Sequence, residues 1–215
     1  MDCTYKMIKY NRPILNIVTS NALHKTVQIG LALVRSENED AYTEVLTWFS
    51  ECLRLHRIDP PSVIITDREL SLMNAIKKIF VDTDHVLYRW HSNKDVFTYY
   101  RRIYPQVQIE DKSVVNSEEA CEAFELYEKC RESLTSSNFT QNYSVLDEKF
   151  PQLLAYLEAN WWPYHHSLIS AWTNKYHHFG ETSTSRVEGC HSKIKAWLNH
   201  SSRNNIYSFV TKLIP

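Results

Sequence analysis

Apolar positions divide the chain into two differently patterned parts. Over residues 4–34 the runs TYKMIKY, ILNIVTS and TVQIGLALV are rich in β-branched and aromatic residues. They are interrupted at Asn11-Arg12-Pro13 and at Asn21, which predicts three consecutive strands. The period then changes. In SENEDAYTEVLTWFSECLRLHRI, the residues Val45, Phe49, Cys52, Leu53 and His56 fall on one helical face, Ser36 is placed to cap it, and acids fill its first turn. Pro60-Pro61 stops this helix. SVIITD reads as a buried strand, Leu72, Met73, Ile76, Ile79 and Phe80 mark a second helix, and DHVLYRW reads as a short strand. The order over residues 1–92 is therefore β-β-β-α-β-α-β, an antiparallel meander extended by parallel additions to one mixed sheet.

From about residue 93 onward, strand signals nearly vanish. NKDVFTYYRRIYP, SEEACEAFELYEKCRESL, SVLDEKFPQLLAYLEANWW and RVEGCHSKIKAWL all carry helical spacing, and residues 132–145 read as a polar loop. The pattern thus predicts an α/β part to about residue 92 and a helical part beyond it.

The length of 215 residues suits one domain, or a domain carrying one insertion, and needs no disulfide or structural metal. The five cysteines are scattered without a C-x-x-C pair, which argues against a zinc ribbon and against a secreted disulfide framework. The pairs His165-His166 and His177-His178 have no thiol at ligand spacing and do not read as a zinc site. No apolar run reaches the ~18 residues of a membrane span, and MDCTYKMIKY lacks a signal-peptide core, so the expectation is a nuclear or cytoplasmic protein. The net charge of −1 makes no global case for nucleic-acid binding, but charge is unevenly placed. Residues 110–149 carry ten acids and four bases, whereas residues 186–212 carry five bases and one acid, Glu188. The C-terminal segment, with Arg186, His191, Lys193 and Lys195, is therefore the candidate for touching a polyanion.

Three carboxylates stand out. Asp67 ends the SVIIT strand, where open α/β sheets place ligands, but Asp is also a favoured helix N-cap and Glu69 lies just after it. Both readings remain open on position alone. Asp2 heads the first strand and approaches Asp67 if that strand lies beside SVIIT; two acids brought together call for a divalent cation, and oxygen ligands favour Mg²⁺ or Mn²⁺. Glu188 shares a helix flank with His191, Ser192 and Lys195, opposite the stripe Val187, Cys190, Ile194, Trp197 and Leu198. That arrangement suits either a surface Glu–Lys pair or a metal ligand beside a phosphate backbone. The aromatic cluster Trp161, Trp162, Tyr164, Trp172 and Tyr176 reads as insertion core more readily than as a base-stacking platform.

Four segments in order, DCTYKMIKYNRP, IITDRELSLMNAIKKIF, HVLYRWHSNKDV and TSTSRVEGCHSKIKAWL, resemble the transposase domain of Mutator-like elements. That resemblance implies an α/β, ribonuclease H-like fold, a mixed five-stranded sheet flanked by helices, with a core over 1–105, an all-α insertion over 106–180 before the last catalytic helix, and C-terminal helices over 181–215 that complete the core. It also implies an Asp-Asp-Glu triad of Asp2, Asp67 and Glu188 holding two Mg²⁺ or Mn²⁺ ions for cleavage and strand transfer at transposon DNA ends. It further implies a possible homo-oligomer and no small-molecule cofactor. His91 matches the histidine of the family's Cys-x-x-His element, here Tyr88-Arg89-Trp90-His91, with tyrosine replacing the cysteine. Only Met1 precedes Asp2, so the expectation is a truncated first strand and a partial copy. The alternative is an inactive remnant, or a domesticated DNA- or protein-binding module that keeps the fold.

Overall fold

The computed structural model describes residues 1–4, 12–104, 106–108, 114–178 and 185–197. In chain order the elements are β1 (Asp2–Thr4), β2 (Ile14–Ser20), β3 (Thr26–Leu33), α1 (Glu39–Leu55), β4 (Val63–Thr66), α2 (Leu70–Ile79) and β5 (Asp84–Leu87). They continue as α3 (Arg89–Ile103), β6 (Gln106–Gln108), β7 (Val114–Asn116), α4 (Glu118–Glu132), α5 (Ser136–Lys149) and α6 (Pro151–Asn160). A 3₁₀ turn at Trp162–Tyr164 leads to α7 (His165–Leu168), α8 (Ser170–Thr173) and α9 (Ser185–Trp197). The chain forms two compact units, residues 1–85 with the segment that carries α9, and residues 86–182; the division falls within β5.

In the first unit β1, β2 and β3 form an antiparallel sheet in that order. β2 is its buried strand: Ile14, Leu15, Asn16 and Ile17 are all inside, whereas β3 is mostly exposed. Ile17 presses against Gly30, where an added Cβ would meet the isoleucine Cδ1 at 3.3 Å, so glycine permits the close approach of these strands. Leu15 and Ile17 share a core with Tyr42 and Leu46 of α1, Ile64 of β4, and Leu72, Ala75, Ile76 and Phe80 in and after α2. Leu46 is wholly buried there, and truncating a buried leucine to alanine costs roughly 2–5 kcal/mol.

Several sequence expectations change at their edges. Asn38, not Ser36, caps α1, its side chain accepting from the Ala41 amide at 2.9 Å. The buried stripe of α1 is Ala41, Tyr42 and Leu46 with Val45, Phe49 and Leu53 partly covered, while Cys52 and His56 are exposed. β5 stops at Leu87, so Arg89, Trp90 and His91 open a helix instead of finishing a strand. The expected single five-stranded sheet is not formed by strand pairing among the described residues, which gives β1-β2-β3, β4-β5 and β6-β7 as separate sets. Among the described residues a hydrogen bond joins the first two sets: the Met1 nitrogen donates to the Ile65 carbonyl of β4 at 2.6 Å. Most of the TYKMIKY run lies outside the described residues.

The second unit is mainly helical, as its spacing predicts, with two exceptions. β6 and β7 make a short antiparallel ladder that the sequence pattern does not announce. The stretch expected to be a polar loop at 132–145 is largely α5: Thr135 caps it, accepting from the Asn138 amide, and Phe139, Tyr143 and Leu146 at i, i+4, i+7 give it one apolar face. The run SVLDEKFPQLLAYLEANWW is then split at Phe150, the C-cap of α5 and N-cap of α6, because Pro151 lacks an N–H to continue the first helix but suits the first turn of the next. Tyr127, Cys130, Leu146, Leu153, Leu157 and Trp161 are buried in this unit.

Candidate active site

Glu69 decides what Asp67 is for. The helix that follows β4 is capped by Glu69, whose two carboxylate oxygens accept from the Ser71 amide at 3.4 Å and the Leu72 amide at 2.6 Å. Asp67 therefore stands outside the helix, at the mouth of β4 and released from capping. Its backbone is braced from the neighbouring strand. The Thr66 hydroxyl donates to the Asp67 carbonyl at 2.7 Å and lies 2.8 Å from His85 Nε2. Since that hydroxyl spends its one proton on Asp67, His85 must donate through Nε2–H. Burial, with Lys77 adding, pushes the His85 ring down to about 4 and keeps it neutral for this role.

Asp67 is hydrogen-bonded to the Asp2 side chain and feels the charge of Glu188. Burial, opposed by the Met1 amino group and reinforced by Glu188, raises the Asp67 carboxyl from 3.8 to about 6. A hydrogen bond between two carboxyls requires one proton between them, and a hard divalent cation can take the place of that proton. The donor set of Asp2 and Asp67 fits Mg²⁺ or Mn²⁺. Glu188 is exposed on the first turn of α9. Among the described residues no three His, Cys, Asp or Glu side chains stand close enough to hold an ion together.

The helix that brings Glu188 packs on β2. Val187 and Ile194 are buried, Cys190 is half-buried, and the Trp197 side chain and Leu198 lie outside the described residues. Arg186 anchors the start of α9, donating to the His24 carbonyl at 2.6 Å in the β2–β3 turn. His191, one turn after Glu188, faces inward: it is 7% exposed and its Nδ1 lies 3.7 Å from Asp2 Oδ2. Burial, with Lys195 adding, pushes this ring down to about 4, so the contact is polar and not an ion pair. Lys193 and Ser192 are exposed and Lys195 is half-buried.

Asn16 joins this group without having been singled out by spacing. It sits opposite Asp2 in the β1–β2 register, which puts both side chains on one face of the sheet. It is fully buried, and among the described residues neither its Nδ2 nor its Oδ1 has a hydrogen-bond partner; the same holds for His191 Nε2. Enclosed polar atoms of this kind cost roughly 1–3 kcal/mol each, and native proteins keep them where they serve a site. The signal in the sequence is an asparagine inside the apolar run ILNIVTS.

His91 lies in the other unit, in the first turn of α3, packed edge-on against Tyr88 at 5.2 Å and Trp90 at 4.9 Å. Tyr88 is buried.

An α/β unit that brings together carboxyls from two of its strands, Asp2 and Asp67, is the class of protein that the fold and site define. Residues 1–95 match the model of the MULE transposase domain. The match includes Asp2, Asn16 and Asp67 and ends before α9, so Glu188 and His191 are joined to it by geometry alone. No curated protein matches the chain.

Proposed function

We propose that the first unit is a ribonuclease H-like catalytic core that cleaves and rejoins DNA phosphodiesters, with Asp2, Asp67 and Glu188 as its acidic triad. The observation that carries this reading is the side-chain hydrogen bond between Asp2 and Asp67, with Glu188 acting on the same carboxyl. The Met1–Ile65 bond supports the fold, because continuing the sheet across it gives the strand order β3-β2-β1-β4-β5.

Asp2 and Asp67 would hold Mg²⁺ or Mn²⁺, with Glu188 completing the set, and the metal would supply a nucleophilic water or 3′-hydroxyl and stabilise the leaving oxygen. The protein's own residues set the stage. Thr66 and His85 fix the backbone at Asp67, and Glu69 takes over the capping duty that would otherwise occupy it. His191 lies against Asp2, and the buried Asn16 stands opposite it in the β1–β2 register. Lys193, exposed on α9, is available to a phosphate of the DNA backbone, whereas Arg186 is engaged at the β2–β3 turn. Assembly of more than one copy on transposon ends belongs to the same reading, as does work in the nucleus. Among the described residues no helix is long and apolar enough to cross a membrane.

A second reading has its own support. Among the described residues no three ligands are gathered for an ion as the side chains stand, which favours a non-catalytic or domesticated module that keeps the fold. Incubation with terminal-repeat or branched DNA and Mn²⁺ separates the two. The catalytic reading expects metal-dependent nicking by the wild type that Asp67→Ala abolishes; equal products from both proteins would sink it.

A further inference from the structure

The second unit contains a cavity of about 350 Å³ lined by Phe139, Tyr143, Glu158, Trp162 and His165. Phe139 and Tyr143 lie on one face of α5, Glu158 comes from α6, Trp162 from the 3₁₀ turn, and His165 from the start of α7. Four of the five liners are aromatic and the fifth is a carboxylate. None is Lys or Arg. The phosphodiester reading uses none of them.

The ring geometry selects the shape of an occupant. A slot for a flat base needs parallel walls. Here Phe139 and Trp162 meet at 85° with centroids 5.7 Å apart, and Phe139 and Tyr143 meet at 57° and 5.9 Å. Steeply angled ring faces make a box, which fits a rounded group better than a plate. Charge selects its sign. The Tyr143 hydroxyl donates to Glu158, bracing the carboxylate at the exposed rim. Asp147 lies close enough to act on the same tyrosine. His165 Nδ1–H donates to the Trp162 carbonyl at 2.7 Å, fixing that ring as a wall. Residues 86–182 carry thirteen acids and nine bases, a net of −4. Angled π faces, a braced carboxylate and an acidic surrounding together are what a bulky, weakly hydrated cation requires. The same charges repel a nucleic-acid strand.

We infer that this cavity is an aromatic cage for a methylated ammonium group, supplied either by a free choline-like amine or by a methylated lysine side chain. The inference is independent of the DNA-cutting reading, since it concerns the other unit and its test involves no cleavage.

The test follows tryptophan fluorescence of the full chain during titration with choline and with 3,3-dimethylbutan-1-ol, its neutral isostere. Choline should bind about tenfold more tightly, as cation–π attraction supplemented by a carboxylate provides. Glu158→Gln should weaken choline about threefold to tenfold without changing the circular dichroism, and Phe139→Leu should weaken it further. A basic peptide with trimethyllysine, compared with its unmethylated form and with choline, identifies the source: tighter binding of the methylated peptide points to a protein partner, tighter choline binding to a free amine. Equal affinity for the neutral isostere overturns the proposal, as do an unchanged Glu158→Gln affinity and displacement of choline by a single-stranded oligonucleotide.

Discussion

His191 Nδ1 lies 3.7 Å from Asp2 Oδ2, linking residues 189 positions apart in the sequence. The imidazole is buried and neutral, so it shapes the surroundings of the carboxyl without cancelling its charge. Asp67, close to Asp2, is held where burial disfavours its own ionisation, and that condition has measurable consequences.

The first concerns stability and pH. Asp67 titrates near 6 in the fold and near 3.8 when exposed. Between these values the unfolded chain has lost a proton that the folded chain keeps, so stability falls as pH rises through this window and stays lower above it. Asp67→Asn removes the penalty. Urea unfolding at pH 8 should show the variant more stable by about 1–2 kcal/mol, once solvent screening at this partly open site is allowed for. At pH 3.5 the two proteins should converge. A variant less stable at pH 8 would show that Asp67 is structural.

Metal should act on the same carboxyl. Mn²⁺ at a hundredfold excess over its Kd should stabilise the wild type by about 2.7 kcal/mol, seen as a rise in Tm at pH 7.5. Asp67→Asn should abolish the rise. If the shift survives that substitution, the ion binds elsewhere.

Asn16 offers a separation of packing from site. Asn16→Leu replaces a buried amide without partners by an apolar side chain of similar size, so unfolding free energy should hold steady or increase by up to about 1 kcal/mol. Mn²⁺ affinity should fall about tenfold or more, as for other residues that support a metal ligand. Lost stability with unchanged Mn²⁺ binding would make Asn16 a core residue only.

Capping gives the fourth prediction. Glu69→Ala should cost about 1 kcal/mol in urea unfolding, because two amides of the first turn of α2 lose their acceptor. Asp67→Ala should leave the cap intact. Were Asp67→Ala to fray α2 and Glu69→Ala to do nothing, the assignment of the two acids would be reversed.

Much of the first unit is legible from the chain itself. β2, α1, β4 and α2 follow from period and punctuation, because each buries one face against a single core, and β3 follows from its β-branched run between turn residues. The role of Asp67 is not legible in TDRELS, where two acids two residues apart compete for one helix end; only the backbone path shows Glu69 taking it. His191 reads as part of a polar helix flank because helical spacing treats every non-apolar face as facing water. Its burial comes from β2, which the helix meets from far along the chain. α5 is hidden by polar composition, although three apolar residues at i, i+4, i+7 suffice for a helix packed on one side. β6 and β7 are three residues each, too short for any periodicity to register.

The route by which α9 returns to β2 also fixes when the site can exist. Asp2 and Asp67 leave the ribosome first, and about a hundred further residues must follow before Glu188 and His191 emerge. At about 5–20 residues per second this takes roughly 5–20 seconds. Throughout that interval the nascent strands hold their carboxyls without the helix that bears the third, and any messenger cut short within the second unit yields a protein permanently in that condition. Completion of the polypeptide is therefore itself a safety catch on the chemistry proposed for the assembled unit.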